Sequence, residues 1–135
     1  MAGRQMSSLA EGLRRGHQLA RWAFAFTALS VVGISVLPGR DVPNIGLWDK
    51  LEHVIAYATL ALVGAFAFPG FLGAALLAVL LPALGAVMEI CQLFVPGRSA
   101  EFGDAVANTV GVALVLLPVT LFQTARRSYG RRRQS

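Results

Sequence analysis

"VIAYATLALVGAFAFPGFLGAALLAVLLPALGAVMEICQLFV", residues 54–95, contains a single charged residue, Glu89. The stretch is too long for one membrane crossing, which takes roughly 20 apolar residues. Pro69-Gly70 divides it. Proline cannot extend a helical hydrogen-bond ladder and glycine turns freely, so the stretch predicts two spans joined by a tight hairpin. Pro82 falls inside the second of these, where a bundle tolerates a kink. Upstream, another apolar run covers about residues 19–37 and stops at Pro38-Gly39; downstream, a last one covers about residues 104–122. The expected fold is therefore all-α, a four-helix transmembrane bundle with spans near 19–37, 49–68, 71–94 and 104–122. Residues 1–18 read as a basic cytoplasmic segment, 19–122 as the membrane domain and 123–135 as a basic cytoplasmic tail.

Composition agrees. The 135 residues are 56% hydrophobic and 14% charged, against about 45–50% and 25% in soluble domains. The net charge of +5 does not point to nucleic acid, because the arginines lie mainly in the two tails and no aromatic residues alternate with them. A lone cysteine, Cys91, excludes an intrachain disulfide and a cysteine-rich metal site. The first apolar run follows a basic leader, yet "GISVLPGR" (residues 33–40) offers no small-x-small cleavage site, so it is expected to be a retained helix rather than a signal peptide.

Orientation follows from arginine. Residues 1–21 hold Arg4, Arg14, Arg15 and Arg21 against Glu11; the tail holds Arg126, Arg127, Arg131, Arg132 and Arg133 with no acid. Positive flanks stay in the cytoplasm, so both termini are expected there, as an even number of spans allows. The loops Pro38–Trp48 and Val95–Gly103 then lie outside, with Trp22 and Trp48 at opposite interfaces.

Every other charge falls in or beside those loops. Asp49, His53 and Tyr57 are spaced by four and share one face of the second helix; Glu89 and Gln92 share a face of the third; Asp104, Asn108 and Gly111 share a face of the fourth. At about 1.5 Å per residue, His53, Glu89 and Asn108 sit at similar depth, roughly 6–8 Å below their helix ends. An ionised group facing lipid at mid-helix costs about 2.5–3.5 kcal/mol. The polar stripes are therefore expected to face one another in an outward-opening pocket.

These residues carry a resemblance. "DKLEHVIAYATLAL" (49–62) and "EICQLFVPGRSAEFGDAVANTVG" (89–111) resemble the paired signatures of the VanZ-like family, D-K-x-x-H-x-x-x-Y followed by E-x-x-Q-x-F-x-P-x-R and D-x-x-x-N-x-x-G. Asp49, Lys50, His53 and Tyr57 match the first; Glu89, Gln92, Pro96, Arg98, Asp104, Asn108 and Gly111 match the second. The likeness covers about residues 45–115. It implies a small multi-pass protein of the bacterial cytoplasmic membrane, in a family named for a member linked to resistance to the glycopeptide teicoplanin. It attaches no reaction.

The polar residues admit two roles each. His53, with an unperturbed pKa near 6.5, could transfer a proton or sense pH, or could pin helices through Glu89 or Asp49. Glu89 and Asp104 could act as general acid and base, or as counter-charges to Lys50 and Arg98. Arg98 matches a phosphate or carboxylate bidentately, or could fork onto Glu101 or Asp104. Gln92 and Asn108 suit hydrogen bonds across helices, and Gly111 close helix approach. One histidine with dispersed carboxylates does not make zinc spacing, so neither metal nor cofactor is expected. The leading expectation is a protein that binds an anionic lipid head group or lipid-linked wall precursor through Arg98 and Lys50. In it His53, Glu89 and Asp104 tune charge while Tyr57 and Asn108 set orientation, with Asp49 and Gln92 in the same wall. The rival is an intramembrane enzyme with His53, Glu89 and Asp104 as its catalytic candidates. A third reading makes the cluster a structural latch.

Overall fold

A computed structural model of the chain describes residues 2–41 and 48–132. The middle of the expected Pro38–Trp48 loop and Arg133 lie outside the described residues, as do the side chains of Arg4, Arg127, Arg131 and Arg132. Four helices follow in order: α1, Ala2–Ser35; α2, Asp49–Ala67; α3, Phe71–Gln92; and α4, Phe102–Arg132. A short 3-10 turn, Gly39–Asp41, follows α1, and no strand occurs among the described residues. Each helix contains a segment long and apolar enough to cross a membrane: Met6–Ser35, Asp49–Ala67, Phe71–Gln92 and Phe102–Arg126.

The hairpin at Pro69-Gly70 forms where expected, with Gly70 at φ 101°, a left-handed backbone that suits glycine. Helices α3 and α4 run unbroken through Pro82 and Pro118. The outer ends differ from the sequence expectation. Helix α1 begins at Ala2 instead of near residue 19, and α4 continues to Arg132 instead of stopping near 122. Apolar runs mark only the part of a helix that meets lipid. The polar ends are rich in Ala, Leu, Gln, Glu and Arg, good helix formers, and no proline interrupts residues 2–35.

The chain runs up and down. At one end Arg21 Nε donates to the Ala67 carbonyl at 3.4 Å and its guanidinium lies 5.8 Å from the Phe68 ring centre, so α1 satisfies an orphan carbonyl at the end of α2. At the other end the Gly39 N–H donates to the Pro96 carbonyl at 3.1 Å, tying the α1–α2 connection to the α3–α4 connection. The start of α1 and the end of α4 therefore lie opposite these two loops.

Helix α2 is the centre. Tyr57, Leu60 and Ala61 pack with Leu77 and Leu81 of α3 and with Val112 and Leu116 of α4; Phe24, Ala28 and Val31 of α1 lie against this core from outside. The α2–α4 seam is the closest. A Cβ on Gly111 would overlap the Val54 carbonyl oxygen, so only glycine lets these backbones meet. Around the bundle the outer face is apolar, with Trp22, Phe26, Leu29, Phe66, Leu72, Val79, Leu114 and Leu121 all exposed. Such a surface is a liability in water and a match to hydrocarbon. The protein is a multi-pass membrane protein.

Candidate functional site

Polar side chains gather at the loop end that faces away from the termini. The first two turns of α2 present Asp49, Glu52, His53, Ala56 and Tyr57 along one face, at the i, i+3, i+4, i+7 and i+8 positions that a helix stacks together. Opposite them stand Val31, Ile34 and Ser35 of α1, with Gln92 at the end of α3 and Arg98 from the following loop. They enclose an open cleft of about 120 Å³.

Arg98 does not form the alternative fork onto Glu101 or Asp104. Its Nη2 donates to the Ile34 carbonyl at 3.1 Å and its Nε to the Leu37 carbonyl at 3.4 Å. The last carbonyls of a helix have no partner within it, so the guanidinium satisfies the end of α1 while lining the cleft. Gln92 does likewise, its Nε2 donating to the Ser35 carbonyl at 3.4 Å. The Val95–Gly97 turn that presents Arg98 depends on Gly97, whose φ is 74°.

Both acids sit on Lys50, which the sequence also offered as a partner for Asp104. Its Nζ lies 2.8 Å from Glu101 Oε2 and 3.0 Å from Asp104 Oδ1. Glu101, in the loop, is held below the ordinary carboxylate range by its hydrogen bond to the Lys50 ammonium. Asp104 is buried and Lys50 partly so. Two carboxylates hold this lysine, which makes it the tie between α2 and the start of α4.

His53 does pin two helices, through Asn108 of α4 and through neither Glu89 nor Asp49. Its Nδ1 lies 3.0 Å from Asn108 Oδ1, and its Nε2 lies 3.8 Å from Asp104 Oδ2. An amide oxygen can only accept, so Nδ1 donates in this contact, and Nε2 is the ring nitrogen turned toward Asp104. Asn108 is fully buried, with its amide nitrogen against Gly85, where an added Cβ would come within 2.9 Å. Small α3 residues thus let Asn108 reach across to α2.

Of the three catalytic candidates, the structure brings His53 and Asp104 into direct contact, while Glu89 makes no direct contact with either but stays within electrostatic reach of both. Glu89 lines a different recess, between α3 and the start of α4, with Ile90, Leu93, Glu101 and Phe102. Its Oε2 accepts the Glu101 backbone N–H at 3.2 Å, and its Oε1 is buried with no partner among the described residues. The Tyr57 hydroxyl is likewise buried without a described partner, in the floor of the main cleft.

Two features escaped sequence reasoning. Glu52 joins the cleft wall; a search at spacing four alone skips the i+3 neighbour. Asp49, His53 and Asp104 each offer a ligand atom within 4.8 Å of the others, a grouping that could hold a metal ion. Two come from one helix and the third from another, so no linear spacing announces them.

No curated protein and no solved structure matches the chain. The VanZ/LLP1 family model matches residues 8–123, which extends the likeness from the polar motifs of α2 to α4 across most of α1 as well. The chain belongs to the VanZ/LLP1 family.

Proposed function

We propose that the protein binds a phosphate-bearing lipid head group, of a membrane phospholipid or a lipid-linked wall precursor, in the cleft between α1 and α2. One observation carries the reading. Arg98 lines the cleft, and among the described residues no carboxylate lies within 4.0 Å of it. Two of its donors hold the end of α1. A guanidinium has five, so the others are available to phosphate oxygens. The carboxylates of Asp49 and Glu52 on the opposite wall suit an amine on the same head group. The proposal includes an orientation. The arginine-rich ends lie in the cytoplasm and the cleft opens at the outer face of the bacterial cytoplasmic membrane, where a bound wall intermediate would alter susceptibility to glycopeptides such as teicoplanin.

The test is lipid binding in nanodiscs with divalent ions chelated. Arg98→Ala is expected to weaken binding of phosphate-bearing lipid at least tenfold; Arg98→Lys keeps the charge and controls for loss of the α1 contact. Equal binding by parent and Arg98→Ala refutes the proposal.

A second reading, an intramembrane enzyme acting on a lipid-linked envelope precursor, is favoured by His53, held through Nδ1 by Asn108, facing the buried Asp104 with Nε2 at 3.8 Å. It requires that a deletion strain and a His53→Ala strain lack the same lipid product.

A further inference from the structure

We infer that Asp49, His53 and Asp104 form a binding site for a divalent metal ion, with Zn²⁺ and Mn²⁺ as the ions their ligand set suits. An imidazole with two carboxylates is a donor set for borderline divalent ions. Their ligand atoms lie within 4.8 Å of one another. Around zinc, bonds of about 2.0–2.2 Å put neighbouring ligand atoms roughly 3.5 Å apart. Closing that difference takes small side-chain rotations, which Asp49 is free to make because it is exposed.

Three further observations point the same way. The first is the histidine itself. A metal-bound histidine almost always donates its other N–H to an oxygen, which fixes the tautomer and aims the lone pair at the metal. His53 is held in this way: Nδ1 faces Asn108 Oδ1 at 3.0 Å while Nε2 faces Asp104 Oδ2 at 3.8 Å. The second is Asp104. Lys50 occupies only its Oδ1, at 3.0 Å, and the other oxygen is the one turned to the imidazole. The third is Tyr57, one turn along α2 from His53. It is 2% exposed, its hydroxyl has no described partner, and it lines the same cleft as Asp49 and His53. A buried hydroxyl left unbonded is costly; a water on the metal is a partner it could reach.

Charge complements geometry. Asp49, Glu52, Glu101 and Asp104 converge at this end of the bundle, with Lys50 the cation that pairs with any of them among the described residues. The metal site stands on these ligand atoms and does not depend on the head-group reading.

The experiment uses the full chain in detergent, stripped with chelator and titrated with Mn²⁺ or Zn²⁺ alone. Binding is read by calorimetry and by the loss of the free Mn²⁺ spin-resonance signal. One ion per chain is expected. Asp49→Asn and His53→Ala should each weaken binding at least about tenfold, the scale at which disturbed metal shells act, while Glu11→Gln, far along α1, leaves it unchanged. Because Asp49 is exposed, Asp49→Asn tests the ligand set even if His53→Ala lowers folded yield. No stoichiometric binding, or parent-like affinity in both folded variants, overturns the inference.

Discussion

Replacing His53 and Asn108 singly and together gives a measurable energy for the contact on which the site is built. His53 Nδ1 and Asn108 Oδ1 are 3.0 Å apart, Asn108 is 1% exposed, and the pair joins α2 to α4. Interhelical hydrogen bonds in membranes average about 0.6 kcal/mol and reach about 1.7 kcal/mol. This one is short and fully enclosed at the asparagine, which places its coupling in the upper half, about 1–1.7 kcal/mol. Asn108→Leu removes both polar groups and keeps the branched side-chain shape. It also leaves the His53 N–H half-buried without an acceptor, adding about 1–3 kcal/mol, so the single substitution should lose roughly 2–5 kcal/mol. In the double variant with His53→Ala the stranded N–H is gone, and the loss should fall short of the sum of the singles. The assay is reversible unfolding in mixed micelles, followed by circular dichroism and by a probe on α4. Sites that do not interact add within about 0.3–0.5 kcal/mol. A cycle that closes inside that margin refutes the contact and with it the Nδ1 donation assigned to His53.

Three further outcomes are expected. Gly111→Val should drive α4 off α2 at Val54, cost more than the about 1–3 kcal/mol of ordinary overpacking because the obstacle is backbone, and show as loss of folded yield and of cooperative melting; parent-like melting would refute the close seam. The Glu101 carboxylate is held low by Lys50, so its stabilising effect is complete above the unfolded-state pKa near 4.3 and is lost as pH falls through the lower folded value. Stability measured from neutral pH downward should therefore fall less for Glu101→Gln than for the parent below about pH 4, and identical slopes would deny the ion pair. Finally, Ser99→Cys in a Cys91→Ser background should react with an impermeant maleimide in intact cells, whereas labelling only after lysis would invert the topology.

Much of the fold was legible because the bilayer imposes a simple rule: satisfy the backbone in helices and face hydrocarbon with apolar side chains. The run at residues 54–95 with its Pro69-Gly70 break therefore gave the α2–α3 hairpin to within two residues. The same rule says nothing of α1 before residue 19 or α4 after 122, where helix propensity and not lipid sets the limit. At the site, periodicity brought out the stripe Asp49–His53–Tyr57 and the stripe Asp104–Asn108, and these two faces do meet. It could not pair the charges. Glu101 lies outside every stripe, yet it takes Lys50 because the α4 entry folds back over α2; Arg98, freed from the acids, turns to the exposed carbonyls of α1. Glu89 shares its helix face with Gln92 in sequence, but the α3–α4 loop draws it to the Glu101 N–H. Such partners depend on loop paths, which no helical period records.

An experimental structure determined in a bilayer of phosphate-bearing lipid addresses the cleft most directly. Phosphate density at about 2.7–2.9 Å from the Arg98 guanidinium, between Ile34 of α1 and the Asp49–His53 face of α2, is the result our account predicts. A cleft closed by α1 against Tyr57, or filled by acyl chain with no phosphate near Arg98, would contradict it.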